Sequence, residues 1–487
     1  MTQDSDSSVL NQEESLVDMN SVLQIQKQAF LAEGSVTMPS RVNRIERVIE
    51  MLVDYRPEIC DAISSDFGHR SHHLSLMADI AGSIEALKHN KKHLRRWMRP
   101  ERRKPMFPLG LMGTKAWVQF QPKGVVGLIS PWNFPVSLTF CPLADVLAAG
   151  NRCMIKPSEF TPMTSALMKK MISERFDPSE IAVFTGAAEV AAAFSGLAFD
   201  HLIFTGSTSV ARHVMHKAAD NLVPLTLELG GKSPVIVSRR SSIQLTADRI
   251  MFGKLANAGQ ICIAPDYLLV PEEKRDPLLR ALQLAVTSMY PDLKDNADYT
   301  SIINTHHFDR LQGYIQDARD KGAEVIELNP AGEAFSDQLH LKMPPTLIIN
   351  PTDDMKVMQD EIFGPILPIV TYEDVQEAID YVNARPRPLA LYYFGNSRSE
   401  EKVITHSTVS GNTVINDVIM HYNQNDLPFG GIGPSGMGCY RGHDGFMTFS
   451  HKKGILKQTK RDIYRMAGMF PPYGKKIEKL INSQVKK

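Results

Sequence analysis

This sequence has few cysteines, no surplus of basic charge and no long apolar run, and each shortage closes off a class of protein. Five cysteines (Cys60, Cys141, Cys153, Cys262 and Cys439) in a chain of 487 residues do not make a disulfide framework, and no pair has metal-ligand spacing. A reducing cytoplasm is therefore the expected compartment, and no metal is expected. The 54 Lys and Arg are balanced by 54 Asp and Glu, which argues against nucleic acid as the main ligand. No window approaches the ~18 uninterrupted apolar residues of a membrane span. Residues 1–20 are polar and acidic, without the basic start and apolar stretch of a signal peptide, and read as a mobile tail. There is no internal repeat and no low-complexity linker.

What remains is an ordinary globular composition, 43% apolar and 22% charged, long enough for two to three domains. One local basic stretch stands out, KHNKKHLRRWMRPERRK at Lys88–Lys104. Ile84, Leu87, Lys91, Leu94 and Met98 give it a mostly apolar stripe at helical spacing, so it reads as the solvated face and end of a helix. From Trp117 onward, short apolar runs alternate with helix patterns. Gly124–Ser130, Cys153–Lys156, Ile181–Thr185 and His201–Thr205 read as strands. Cys141–Ala149 reads as a helix closed by Gly150, and Thr161–Pro162 as a helix start. Such alternation predicts an α/β fold with a mainly parallel sheet covered on both faces.

Three peptides hold chemistry only when taken together. NAGQIC places Cys262 in a glycine-containing loop, although most lone cysteines are small buried apolar residues. LTLELGGKSP places Glu228 among leucines, where a carboxylate is costly to bury without a raised pKa or a partner. The plainer reading is a strand glutamate facing solvent. SPWNFP sets Asn133 in a stiff turn directly after a buried strand, able to offer its amide to a developing oxyanion. A turn asparagine bonding its own backbone is the plainer alternative.

These segments, with NRCMIKPSEFTP, FTGSTSVAR, DEIFGP and LPFGGIGPSGMG, resemble the aldehyde dehydrogenase superfamily in order over roughly residues 120–450. The 34 positions from Glu228 to Cys262 match the family's separation. APDY after the cysteine, RPRPLALYYF, NDVIMH and FPPYG are similar to its class-3-type branch, and DYTSIIN to the bacterial enzymes of that branch that oxidise coniferyl aldehyde. The resemblance implies an aldehyde dehydrogenase-like architecture. A Rossmann-like cofactor domain (21–106 and 125–230) would accompany an α/β catalytic domain (231–415). The remainder would be an active-site loop region (416–441), a β oligomerisation arm (107–124 and 442–460) and a C-terminal tail (461–487).

It further implies NAD(P)-dependent oxidation of an aldehyde to the acid. Cys262 would attack the carbonyl, Asn133 and the Cys262 N–H would hold the oxyanion, and Glu228 would activate the water that releases the product. Family members that hand the acyl group to coenzyme A lack a general base there, so hydrolysis is favoured. Lys156 and Glu159 would bind the adenosine ribose, and Gly206 and Ser207 the pyrophosphate at a helix start. Trp132, Glu361 and Phe363 would serve the nicotinamide side. Glu159 should repel a 2′-phosphate and favour NAD, yet class-3-type members accept NADP with this glutamate. Phe134, Leu138, Ile261, Ile263 and Phe429 are candidates for an apolar pocket suited to aromatic aldehydes. A fatty or general aliphatic aldehyde is the rival substrate, and a non-catalytic protein keeping the fold is the rival of another class. A homodimer is expected, with a tetramer as the alternative.

Two patterns are set aside. GIGPSG at Gly431–Gly436 fits G-x-G-x-x-G, but it contains a proline and neither follows a buried strand nor opens a helix, so it reads as a loop. His421 and His443 have no second ligand at useful spacing and read as structural. Ala211 stands where many family members carry glycine, which puts the pyrophosphate geometry in question.

Overall fold

Runs such as VVGLI and RCMIK are apolar or buried at every position, as befits strands covered on both faces. In the computed structural model they belong to two large, mainly parallel sheets. Residues 4–107 and 109–485 are described, with backbone alone for 4–17. Residues 1–3, 108 and 486–487, which fall in the expected tails and arm, lie outside the described residues.

The first sheet has six strands, in spatial order Gly436–Met437, Leu225–Glu228, His201–Thr205, Val125–Ile129, Arg152–Lys156 and Ile181–Val183. Every pair is parallel except the one that Gly436–Met437 makes with Leu225–Glu228. The strand order reverses around Val125–Ile129, which pairs with Arg152–Lys156 on one side and His201–Thr205 on the other. Such a switch point opens a crevice at the carboxyl ends of the strands. SPWNFP, KPSE and FTGST lie at those ends.

The second sheet has seven strands, in order Glu324–Glu327, Thr346–Ile349, Ile366–Tyr372, Tyr267–Pro271, Pro234–Val237, Ala390–Phe394 and Asn412–Ile415. Only Glu324–Glu327 is antiparallel to its neighbour. Its core gathers Ile236, Leu269, Ile348, Leu391 and Tyr393. The α/β class expected from the sequence is the fold observed.

Local signals hold in part. Gly150, at φ 91, closes the helix Ser137–Ala149 in the left-handed conformation that glycine tolerates. Pro162 opens the helix Pro162–Arg175, but Thr161 does not cap it. Asp66, nearly a hundred residues earlier, accepts the N–H groups of Met163 and Thr164 at 2.9 and 2.8 Å. In the basic stretch, Leu87 and Leu94 are buried on the helix Gly82–Trp97 while Lys88, Lys92, Arg95 and Arg96 are exposed. It is a solvated helix face.

Two boundaries need correction. A helix spans Asp4–Glu33, so residues 4–20 are no loose tail. Met19, Val22 and Leu23 pack onto the first sheet's core, and the Gln26 amide donates to the Cys153 carbonyl at 3.1 Å. The acidic composition of this segment hid a short buried stripe. The chain also divides into two units, Met1–Leu94 with Pro122–Ser450, and Arg95–Gln121 with His451–Lys487. Both large sheets lie in the first. The second contains most of a three-stranded sheet, in order Glu101–Arg103, Lys115–Pro122 and Ser450–Lys457, and the helices Ile463–Ala467 and Lys475–Gln484. The expected arm therefore lacked Glu101–Arg103 and wrongly took in Gly442–Thr448. That short helix packs on Ser137–Ala149, where a Cβ at Gly445 would fall 2.0 Å from the Asp145 carboxylate.

Candidate active site

The loop before Cys262 is held in an unfavourable backbone conformation. Asn257 (φ 51) and Ala258 (φ 52) are left-handed despite their side chains, and Gly259 (φ 75) follows. Each non-glycine residue in that region costs on the order of 1 kcal/mol or more. Its surroundings compel it. The fully buried Gln260 amide donates to the carbonyls of Asn257 (2.9 Å) and Ser301 (3.0 Å) and accepts the Ile303 N–H at 3.0 Å. A Cβ at Gly259 would lie 2.4 Å from the Gly364 carbonyl oxygen. SPWNFP is laced to this loop from the other side. Asn257 Nδ2 donates to the Asn133 carbonyl at 3.1 Å, and Asn133 Nδ2 to the Gln260 carbonyl at 3.0 Å. Asn133 Nδ2 keeps a second hydrogen for another acceptor.

A pair of residues absent from the sequence reading holds this arrangement in place. Arg70 and Asp79 form a fully buried ion pair at 2.6 Å. Arg70 also donates to the Asn133 carbonyl at 3.0 Å and lies 4.6 Å over the Phe134 ring. Asp79 accepts the N–H groups of Val136 and Ser137, at 3.1 and 3.0 Å, where the helix Ser137–Ala149 begins. Asp79 sits in a π-helical stretch, Ser75–Ala81, and such widened turns gather at functional sites. The only signal in the sequence is an Arg and an Asp nine positions apart flanking an otherwise weakly charged segment.

Glu228 ends its strand only 2% exposed, and its Oε1 has no hydrogen-bond partner among the described residues. Burial pushes its carboxyl well above the usual carboxylate range, offset only by the Gly431 N–H. Cys262 is half-buried. Burial raises its thiol, and the charges of Glu228 and Glu361 raise it further, so both carboxylates stand near the sulfur. Burial, with the nearby Asp266 charge, raises the Glu361 carboxyl to about 8; its Oε1 is likewise unpartnered. Gly230 must be glycine here, because a Cβ would come within 2.1 Å of Glu361 Oε2.

The remaining predicted residues cluster at the strand ends. Lys156 is 1% exposed and donates to the Pro157 carbonyl at 2.8 Å, with Glu159 Oε2 at 3.4 Å, so it is no surface lysine. The Gly206 N–H donates to the Glu228 carbonyl at 3.0 Å. Ser207 caps the helix Thr208–Ala219 by accepting the Val210 N–H at 3.4 Å. Ala211 faces inward, 1% exposed, in the first sheet's core, so its methyl packs inside instead of crowding the helix start. Trp132 meets Phe363 edge-on, ring centres 5.4 Å apart, and His307 at 5.3 Å. GIGPSG opens no helix: Ser435 accepts the Leu229 N–H at 3.1 Å, and Gly436 pairs with Glu228. His421 is buried against Phe429 and Tyr392, and burial lowers its pKa to about 4.

A cavity of about 380 Å³ reaches Cys262 and Asn133. Phe134, Leu138, Ile261 and Ile263 line it; Phe429 does not. Its ring is buried behind Tyr422, centres 4.9 Å apart, and its backbone pairs with Tyr440. Tyr422 is the wall residue instead, along with Leu74, Met77, Phe252 and Met420, which the sequence reading missed because no local motif marks them. Among the described residues no group of three or more His, Cys, Asp or Glu is placed to hold a metal ion, and no helix is long and apolar enough to cross a membrane.

A doubly wound sheet with a crevice at its switch point, and an apolar cavity ending at a thiol, are features of an open α/β protein that binds small ligands. The chain belongs to the aldehyde dehydrogenase family, whose profile matches residues 8–455. It is 57% identical to a probable coniferyl aldehyde dehydrogenase of Caulobacter vibrioides, over 96% of this chain and 97% of that one. It is 52% identical to the coniferyl aldehyde dehydrogenase of a Pseudomonas species, over 95% of each. Among solved structures, the substrate-bound state of Staphylococcus aureus AldH superposes with a TM-score of 0.89 at 35% identity, covering 96% of this chain and 99% of that chain.

Proposed function

We propose that the protein oxidises an aromatic aldehyde of the coniferyl type to its carboxylic acid, with a nicotinamide dinucleotide as acceptor. The observation that carries this reading is the half-buried Cys262 thiol at an apolar cavity, with the buried Glu228 carboxylate near the sulfur. The substrate class follows the names of the relatives and the aromatic and aliphatic walls, Phe134, Leu138, Phe252 and Tyr422.

Cys262 attacks the carbonyl carbon as the thiolate, and the oxygen takes up the negative charge. That oxygen is held by the free hydrogen of Asn133 Nδ2 and by the Cys262 N–H. The bound nicotinamide supplies one thing, acceptance of the hydride, which leaves a thioester on Cys262. Glu228 then takes a proton from water, the water oxygen attacks the thioester carbon, and the acid departs as the thiol re-forms. The residues present fit the dinucleotide. Glu361 Oε1 is buried and without a partner among the described residues, as suits a carboxylate awaiting a ribose hydroxyl. Lys156, Glu159, Gly206 and Ser207 surround the crevice at the strand ends, and Trp132 and Phe363 offer flat surfaces beside it. The Glu159 carboxylate, near Lys156, disfavours a 2′-phosphate, so NAD is the preferred acceptor. The six-stranded sheet would hold the cofactor and the seven-stranded sheet the catalytic loop. The three-stranded sheet of the second unit would serve a homodimer.

A panel of aromatic and alkyl aldehydes, each run with NAD and with NADP and followed by absorbance of the reduced nucleotide, tests this. Coniferyl aldehyde with NAD should turn over fastest, and decanal slowly. Cys262→Ala should oxidise none of them; steady turnover in that variant overturns the assignment of the nucleophile.

A further inference from the structure

The cavity wall changes character toward its open side. Around Cys262 it is formed by buried groups, Asn133, Ile261 and Ile263. Elsewhere the same cavity is lined by Ser71, His73, Asp298 and Tyr290. His73 and Asp298 have side chains 92% and 68% exposed, so they mark the mouth. These polar groups are organised around one carboxylate. The Ser71 hydroxyl, 5% exposed, donates to Asp298 Oδ1 at 2.9 Å, and His73 Nδ1 lies 3.8 Å from the same oxygen. Tyr290 is held edge-on against Tyr299, ring centres 5.1 Å apart. Burial and the Asp298 charge raise its hydroxyl to about 12, so it stays protonated and able to donate.

We propose that Asp298, oriented by Ser71, accepts a hydrogen bond from a hydroxyl at the end of the substrate remote from the aldehyde, and so selects para-hydroxylated aromatic aldehydes over those without the hydroxyl. This rests on the aromatic aldehyde reading above. Ser71 occupies one carboxylate oxygen, and an ionised carboxylate has acceptor capacity to spare. The apolar walls between, Leu74, Met77, Phe134 and Met420, take the ring but offer nothing to a hydroxyl. An alkyl chain of equal length gains the same apolar contact and no bond at the mouth. A hydrogen bond to a charged acceptor in a partly wet site is worth about a ten-fold preference.

The test compares kcat/KM for 4-hydroxycinnamaldehyde and cinnamaldehyde, with saturating NAD. The unaltered enzyme should favour the hydroxylated compound about ten-fold. Asp298→Ala should bring the ratio close to one, and Ser71→Ala should lower it partway. Asp295→Asn, an exposed acid outside the cavity, controls for long-range charge and should keep the ratio. An unaltered enzyme that oxidises both compounds equally well contradicts the recognition alone. So does an Asp298→Ala variant that loses as much on cinnamaldehyde as on its hydroxylated counterpart. An unaltered enzyme that oxidises neither contradicts the aromatic reading beneath it, and the recognition falls with it.

Discussion

Single residues set the working pH of this site. In the proposed reaction Cys262 must lose its proton to attack, and Glu228 must be ionised to take one from water. Both are raised above their ordinary values, Cys262 by burial and two neighbouring carboxylates, Glu228 by burial. A group that works only when deprotonated, and whose pKa is raised, gains activity as pH rises through that pKa and loses it as pH falls. The profiles of kcat/KM, which reports the attack by Cys262, and of kcat, which includes the hydrolysis assisted by Glu228, should therefore both climb from neutral into alkaline pH. A flat profile, or one falling above neutrality, would contradict these surroundings for the two groups. Burial alone does not single out Cys262: Cys153 is raised by burial as well, but it lies in a strand of the first sheet and is not part of the cavity that reaches Cys262. What distinguishes Cys262 is the loop that presents it.

At the scale of elements, what counts is how loops from distant parts of the chain are clamped. The Arg70–Asp79 pair ties the Asn133 turn to the start of the helix Ser137–Ala149, and both charges are fully buried. Removing one partner of such a pair leaves an uncompensated buried charge and costs about 3–5 kcal/mol. Arg70→Met should lower stability by about that amount in urea titrations. It should also lower kcat more than it raises KM, because the oxyanion donor loses its support. Stability within 1 kcal/mol of the parent would contradict a clamping role. This clamp also shows where reading the sequence stops. The strands Val125–Ile129, Arg152–Lys156 and His201–Thr205, and the Gly150 helix end, were legible because periodicity and φ preference act within a few residues. Cys262, Glu228 and Asn133 could be singled out as candidates because their flanking peptides are distinctive. Arg70, Asp79 and the Asp66 cap on Pro162–Arg175 were not legible, since each acts across more than fifty residues on a segment that carries no trace of its partner. Phe429 failed for the opposite reason. A conspicuous loop placed it near the site, but only packing decides which of Phe429 and Tyr422 faces the cavity.

On the scale of the whole molecule, a ligand that binds only the folded state must stabilise it. NAD at a hundred times its Kd should add about 2.7 kcal/mol, visible as a rise of about 2–3 °C in Tm. Gly230→Ala should abolish much of that rise, because the added methyl collides with the Glu361 carboxylate offered to the ribose. An undiminished shift in that variant would remove Glu361 from the nucleotide site. The most direct test of the central claim is the mass of the intact Glu228→Gln variant after mixing with NAD and an aromatic aldehyde. Deprived of its general base, the enzyme should complete hydride transfer and stall. The chain should then gain the mass of the aldehyde less two hydrogens, and digestion should place the gain on the peptide containing Cys262. No gain, a gain of the whole aldehyde, or a gain on any other cysteine would contradict a thioester on Cys262 that Glu228 resolves.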